Sequence, residues 1–333
     1  MTRRIVFVTG GAGFIGSNIV AKLAEDRALD LVVCDRLHDV ESGKWRNIAK
    51  HPIGDFVEPD DMFDWLEKRW RDVELVVHMG AISSTTEPDA DRIMRNNFQL
   101  SRDLFRWCAD RQRRLVYASS AATYGAGEHG FDDDNDYEAL ARLRPLNAYG
   151  WSKALFDLFA ARQAARDYAP PQWVGLKFFN VYGPNEEHKL SMKSVASQIW
   201  PQVREGHAVQ LFKSYRKDVP DGGQKRDFVY VRDAADVVRW LYESPQVNGI
   251  YNLGSGQART FEDLARQVFA AAGKNAQIEY GPMPPAIRDK YQYFTEARME
   301  RLLEAGYPGA LTPLEEGIAE YVTRYLSQPD PYR

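Results

Sequence analysis

The sequence predicts an α/β fold, a Rossmann-type doubly wound parallel sheet with a smaller, interleaved C-terminal domain. Three observations carry that expectation. Short β-branched runs alternate with helix-period segments over the first half of the chain, a glycine cluster follows the first run, and the rhythm breaks after Pro184. The runs are 5–9, 31–34, 74–78, 114–118 and 173–178, with a candidate helix in most of the gaps. Near-continuous apolar stretches such as Leu75-Val76-Val77 suit strands covered on both faces, whereas a half-exposed antiparallel sheet would alternate. Beyond Asn180-Val181-Tyr182-Gly183-Pro184 comes an irregular stretch, then a helix over 191–204. Residues 213–225, rich in Gly, Pro and charge, read as an exposed loop. Phe228-Val229-Tyr230-Val231 and a helix over 232–242 return to the first domain, and helices over 260–272 and 314–326 complete the second. The boundaries that follow are 1–179 plus 226–253 for the first domain and 180–225 plus 254–333 for the second.

With 333 residues, 44% of them hydrophobic and 27% charged, the chain can bury a large core, and disorder is excluded. A formal charge of -4 gives no general attraction for a polyanion. Nucleic acid is therefore not expected as a partner, and an anionic ligand must be held by local cations and backbone amides. The two cysteines, Cys34 and Cys108, are expected as buried thiols rather than a disulfide. The opening Met1-Thr2-Arg3-Arg4-Ile5-Val6-Phe7-Val8 imitates a signal peptide, but its apolar part stops at Thr9-Gly10-Gly11. No stretch approaches the roughly 18 apolar residues of a membrane span. The expectation is a soluble, cytoplasmic protein with no membrane partner. The acidic run Asp132-Asp133-Asp134-Asn135-Asp136 is expected as a solvated loop, and no metal site is expected.

Thr9-Gly10-Gly11-Ala12-Gly13-Phe14-Ile15-Gly16 follows the first strand and opens a helix. Gly10 permits the tight turn, Gly13 lets the backbone approach a pyrophosphate, and Gly16 lets helix pack on strand, with the helix N-terminus facing the negative charge. That pattern points to a bound dinucleotide. Asp35, ending the second strand, suits the ribose hydroxyls of NAD, while Arg36 and Lys44 offer cations for the 2′-phosphate of NADP. Residue types at these positions leave the choice open.

Tyr149 and Lys153 stand four apart, on one face of a helix. A cation beside a phenol, joined by an oxidised nicotinamide, lowers the phenol's pKa from about 10 and fits it to take a proton from a sugar hydroxyl. Ser120 follows the strand ending at Ala118, where parallel-sheet enzymes bind ligands, and either steadies the reacting oxygen or caps a helix. The small residues of His78-Met79-Gly80-Ala81 leave room for the cofactor's second half.

Together these residues resemble the extended short-chain dehydrogenase/reductase family of sugar-nucleotide epimerases and dehydratases. The glycine motif, the serine with Tyr149 and Lys153, Phe179-Asn180-Val181-Tyr182-Gly183-Pro184 and Arg226-Asp227-Phe228-Val229-Tyr230-Val231 are its landmarks, in the expected order over most of the chain. Segments 81–87, 118–125, 188–196, 225–231 and 291–295 are similar to the branch that epimerises ADP-heptose. Ala121 and Ala122 stand where the family's dehydratases carry an Asp-Glu pair, so dehydration is not implied.

The resemblance implies an isomerase that oxidises C6 of the heptose, rearranges the keto intermediate in place and re-reduces its opposite face, supplying lipopolysaccharide core heptose. NADP or NAD would be tightly bound and recycled. Tyr149 and Lys189 are implied as the two proton-transfer residues, supported by Lys153 and Ser120. The implied cofactor contacts are Gly10, Gly11, Gly13, Phe14, Ile15, Gly16, Asp35, Arg36, Lys44, Met79, Gly80, Ala81, Ser83, Asn96, Tyr149, Lys153, Val181 and Lys189. Substrate contacts are implied for Ser83, Ser120, Asn180, Ser191, Gln198, Phe212, Arg226 and Tyr291, and residues 180–225 plus 254–333 become a substrate-binding domain. A homo-oligomer is implied, a pentamer among its forms. Gln198 replaces a usual pocket histidine, and the loop 213–225 is longer than the family's, so the sugar and nucleotide are less firmly implied than the cofactor chemistry. Alternatives are Lys189 as a phosphate clamp, another nucleotide-sugar epimerase such as a UDP-hexose 4-epimerase, and a non-catalytic dinucleotide-binding protein.

Overall fold

The chain forms twelve strands among the described residues: β1 (Arg4–Thr9), β2 (Leu29–Cys34), β3 (Asp55–Val57), β4 (Val73–His78), β5 (Arg114–Ser120), β6 (Trp173–Phe178), β7 (Asn180–Tyr182), β8 (Val209–Phe212), β9 (Lys225–Tyr230), β10 (Gly249–Leu253), β11 (Ala258–Thr260) and β12 (Ile278–Gly281). This computed structural model describes residues 4–38, 40–85, 87–288 and 291–333, without the side chains of 286 and 287. Thr86, in the similar segment 81–87, and residues 1–3 of the opening lie outside them.

Seven strands pair in parallel in the order β10-β6-β5-β4-β1-β2-β3, the doubly wound arrangement expected. Alternate residues of a strand face opposite sides. Val6 and Val8 of β1 enter one apolar core with Val33, Leu75, Val77 and Val116, while Ile5 and Phe7 enter the other with Val32, Val76 and Leu115. Each such side chain contributes about 1.5–3 kcal/mol on burial, so the run pattern fixes a sheet covered by helices on both faces.

A third core lies under a small three-stranded sheet, β11-β9-β7, and the parallel pair β12-β8. Residues 226–230, grouped above with the first domain, form β9 of this small sheet because Phe228 and Tyr230 face its core. The helix that follows, Val231–Glu243, packs on the helix Phe14–Leu23, and β10 completes the large sheet beside β6.

The helix expected over 191–204 is Val195–Glu205. Buried Glu186 accepts from both the amide and the hydroxyl of Ser194 at 2.5 Å, and Ser194 in turn caps the helix. Glu187–Met192 is left as a separate 3-10 turn, broken at Leu190, whose φ is +50°.

The acidic run is solvated at Asp132, Asp134 and Asp136 but anchored between them. Asp133 is buried and accepts from the amide of Asn252 at 2.8 Å, Asn135 accepts from Ile250 at 2.8 Å, and Asp136 caps the helix Tyr137–Arg142. It covers the outer edge of β10, whose amides would otherwise be open. Cys34 and Cys108 are free and buried, and burial pushes the Cys34 thiol up to about 12. Among the described residues no helix is long and apolar enough to cross a membrane.

A Cβ on Gly16 would stand 2.1 Å from the Gly10 carbonyl oxygen, backbone against backbone. Gly16→Ala is expected to lower unfolding stability in urea by about 1–3 kcal/mol. An unchanged midpoint would mean that the turn opens freely.

Candidate active site

The strands end on a cavity of about 600 Å³ that runs from the glycine turn to Lys189 and Arg226. Gly10, with φ +64°, packs so closely on the loop after β4 that a Cβ would meet the Gly80 amide at 2.6 Å. Gly13 caps the helix Phe14–Leu23 without a side chain, so the first amides of that helix remain for an anion. Asp35 and Lys44 line the same cavity, and Met79, Gly80 and Ala81 line its far wall. A turn without Cβ atoms, an open helix end, a carboxylate after β2 and small residues after β4 together fit a dinucleotide.

Asp35 is heavily engaged. One oxygen accepts from the Ala12 amide at 3.0 Å, the other from the Arg36 amide at 2.7 Å and from Lys44 Nζ at 2.6 Å. Lys44 therefore neutralises the carboxylate, and the Arg36 guanidinium is turned to exposed Asp60 at 2.6 Å. His188 completes this wall, its Nδ1 accepting from Asn47 at 3.1 Å while Asn47 also donates to the Ala12 carbonyl. Burial, with Lys44 and Lys189 nearby, holds the imidazole down to about 4, so it is neutral at pH 7.

Asn147 caps the helix Ala148–Ala164, accepting from Gly150 at 2.8 Å, and so fixes Tyr149 and Lys153 at the cavity. Lys153 is buried and donates to the Ala118 carbonyl at 2.8 Å. Burial holds its ammonium down to about 8, against the opposing charge of Asp157. Ser120 caps the turn Ala121–Tyr124, its Oγ accepting from the Ala122 amide at 3.1 Å, and its hydroxyl hydrogen-bonds the Tyr149 phenol. The expected lowering of that phenol is not found in the chain by itself. Burial raises it, and the Ser120 hydrogen bond only partly opposes the rise.

Two cations stand across the cavity. Lys189, on the turn Glu187–Met192, has Nζ 5.0 Å from the centre of the Phe14 ring, and burial holds its ammonium below the ordinary lysine range despite Glu186. Arg226 is buried, donates to the Lys225 carbonyl at 2.9 Å and lies over the rings of Tyr291 and Phe261 at 5.1 and 5.7 Å. Among the described residues it pairs with no carboxylate, which leaves its fork for an anion in the cavity.

Residues 6–254 match the model of the NAD dependent epimerase/dehydratase family. The chain belongs to this family. The ADP-L-glycero-D-manno-heptose-6-epimerase of Nitratidesulfovibrio vulgaris (strain DP4) is 48% identical over 328 residues, 98% of this chain and 99% of the relative. Among solved structures, the Helicobacter pylori ADP-L-glycero-D-manno-heptose-6-epimerase has a TM-score of 0.80 at 26% identity, covering 97% of this chain and 96% of its own. A Thermus thermophilus UDP-glucose 4-epimerase, solved with NAD, has a TM-score of 0.70 at 28% identity over 95% of this chain and 96% of its own.

For an NAD dependent epimerase/dehydratase the cavity gathers most of the residues expected from the sequence: Gly10, Gly13, Phe14, Ile15, Gly16, Asp35, Lys44, Met79, Gly80, Ala81, Ser83, Ser120, Tyr149, Lys153, Asn180, Val181, Lys189, Arg226 and Tyr291. Six others lie off it. Gly11 packs under the turn on Val33, and Arg36 is drawn away by Asp60. Asn96 donates to its own helix at Arg92, because the π-helical stretch Met94–Gln99 gives the inward place to Asn97, which pairs with Ile82 and Ser152. Ser191 is exposed beyond the reversal at Leu190, and exposed Gln198 spends its amide on the Lys193 and Ser191 carbonyls. Phe212 reaches the cavity only through the edge of Tyr291. Asn97 and His188 were not singled out from the sequence, although His188 stands beside Lys189 in a segment that carried the resemblance.

Since Arg226 is a buried cation that meets no carboxylate among the described residues, Arg226→Met is expected to unfold at no lower temperature than the native chain. The same variant is expected to bind a nucleoside diphosphate at least about 10-fold more weakly by calorimetry. Equal affinity would remove Arg226 from the anion site.

Proposed function

We propose that the chain is an ADP-heptose 6-epimerase, converting ADP-D-glycero-D-manno-heptose to its L-glycero epimer for lipopolysaccharide core synthesis. The observation that carries this reading is the presence of two proton carriers, Tyr149 and Lys189, in one cavity with the guanidinium of Arg226, which meets no carboxylate among the described residues. A relative 48% identical over nearly the whole chain bears the same activity in its name. NAD or NADP, when bound, supplies reversible hydride acceptance at the reacting carbon.

The chain's own groups do the rest. Tyr149 takes the proton from the C6 hydroxyl, and its phenol must be brought down from the raised value that burial gives it. Ser120 does part of this by hydrogen-bonding the phenol, and Lys153 adds a cation one helical turn away. Once the keto sugar has turned over, its other face needs a second donor. Lys189, whose ammonium burial makes a readier acid than an exposed lysine, serves there. Arg226 forks the diphosphate and keeps the nucleotide fixed while the sugar moves. Ala121 and Ala122, beside Ser120, hold no acid or base that could expel water.

The proposal assigns the cofactor to 1–179 plus 231–253 and the substrate to 180–230 plus 254–333, the boundary expected at 226 moving to 231 because β9, with Arg226, belongs to the small sheet. It includes a cytoplasmic location, which the two buried free thiols support, and assembly as a homo-oligomer, a pentamer among its forms.

The test is incubation with ADP-D-glycero-D-manno-heptose, following the C6 configuration by NMR. The native chain is expected to interconvert the epimers, and Tyr149→Phe and Lys189→Met each to lose about 10²–10⁴ in rate. Unchanged heptose beside turnover of a UDP-hexose would make the protein a 4-epimerase. Full activity of Lys189→Met would overturn the two-residue scheme.

A further inference from the structure

Behind the catalytic side chains lies an ion pair that takes no part in the chemistry above. Lys177 on β6 and Asp157 on the helix Ala148–Ala164 are fully buried, with Nζ and Oδ2 2.8 Å apart. Burying two charges is unfavourable unless hydrogen bonds satisfy both, and apolar side chains would pack as well. The bonds these two make converge on one residue. Asp157 accepts from Ser119 Oγ at 2.6 Å and from the Tyr117 hydroxyl at 3.1 Å. Lys177 donates to Thr123 Oγ1 at 2.7 Å, and Thr123 donates to the Ser120 carbonyl at 2.8 Å. Ser120 is thereby gripped through its neighbour and through its own carbonyl. Residues 149, 153 and 157 also share a helix face, which sets Asp157 one turn below Lys153.

We propose that the Asp157–Lys177 pair is a positioning element for the reaction, aiming Ser120 at the phenol and setting the charge balance of the Tyr149–Lys153 couple. The proposal rests on the function given above. Around the couple, its own helix supplies Asp157, β4 supplies His78, β5 Tyr117, β6 Lys177 and the turn Ala121–Tyr124 the Tyr124 phenol. Burial keeps His78 neutral and holds both phenols far up in their protonated forms. Among the described residues the charge acting on the couple is therefore that of Asp157 and its partner. Asp157 raises both Tyr149 and Lys153, and so delays the loss of either proton.

Removing the negative charge makes both groups lose their protons earlier, so the acid limb, set by Tyr149, and the alkaline limb, set by Lys153, both move to lower pH. In Asp157→Asn each limb of kcat/KM for heptose epimerisation is expected to fall by about one pH unit. The double variant Asp157→Asn, Lys177→Met leaves no buried charge unpaired and should shift the same way by less, while Asp157→Glu should keep the native limbs. Phenolate absorbance during alkaline titration, read as the difference from Tyr149→Phe in each background, is expected to show the same shift without substrate. Variants with lowered activity but native limbs and a native phenolate titration would overturn the proposal and leave the pair merely structural. A native chain inactive on the heptose would instead sink the function above, and the titration would still decide what the pair does.

Discussion

One desolvated ammonium governs this site. Lys153 has exchanged water for a single carbonyl, that of Ala118 at the end of β5, and its charge is held only against the cost of burial. A cation in such surroundings acts on a neighbouring phenol far more strongly than it would in water, because little solvent screens it. The same desolvation acts on Tyr149 in the opposite sense and raises its phenol. The couple thus has two proton sites of opposed tendency, and small changes in local charge decide which of them holds the proton.

The fold supplies that desolvation and then opens it to ligand on one side only. Parallel strands place their carboxyl ends together, so β1, β2, β4, β5 and β6 deliver the glycine turn, Asp35, the small residues after His78, Ser120 and Asn180 to one rim. Beneath the rim, two apolar cores exclude water from both faces of the sheet. Across it, the turn Glu187–Met192 and the small sheet bring Lys189 and Arg226, cations from the other part of the chain. The glycine turn and these two cations face each other because β9 is followed by a helix that returns to the large sheet.

Much of this was legible in the residues, and the reason is locality. The runs that became β1, β4, β5 and β6, the glycine spacing and the pair Tyr149 and Lys153 are patterns within one element, which periodicity reports. What could not be read depends on contacts between elements. Strands of three residues, such as β3, β7 and β11, exist only through their partners. Asn97 displaced Asn96 because one stretch of helix is wound as π. Arg36 and Lys44 looked alike as cations, yet Asp60 took one and Asp35 the other. The rise that burial gives the Tyr149 phenol in the chain by itself is likewise a property of the packed chain. Asp157 stood in view four residues beyond Lys153, but its partner on β6 is set by sheet order alone.

The central claim, that the Tyr149 phenol is the group that exchanges a proton with the reacting sugar, is tested most directly by a crystal structure with dinucleotide and ADP-heptose bound. The account predicts the phenol oxygen within about 2.6–3.2 Å of the C6 oxygen, with Lys189 on the other side of that carbon. A structure that places Tyr149 remote from the sugar, or C6 against some other acid, would contradict it.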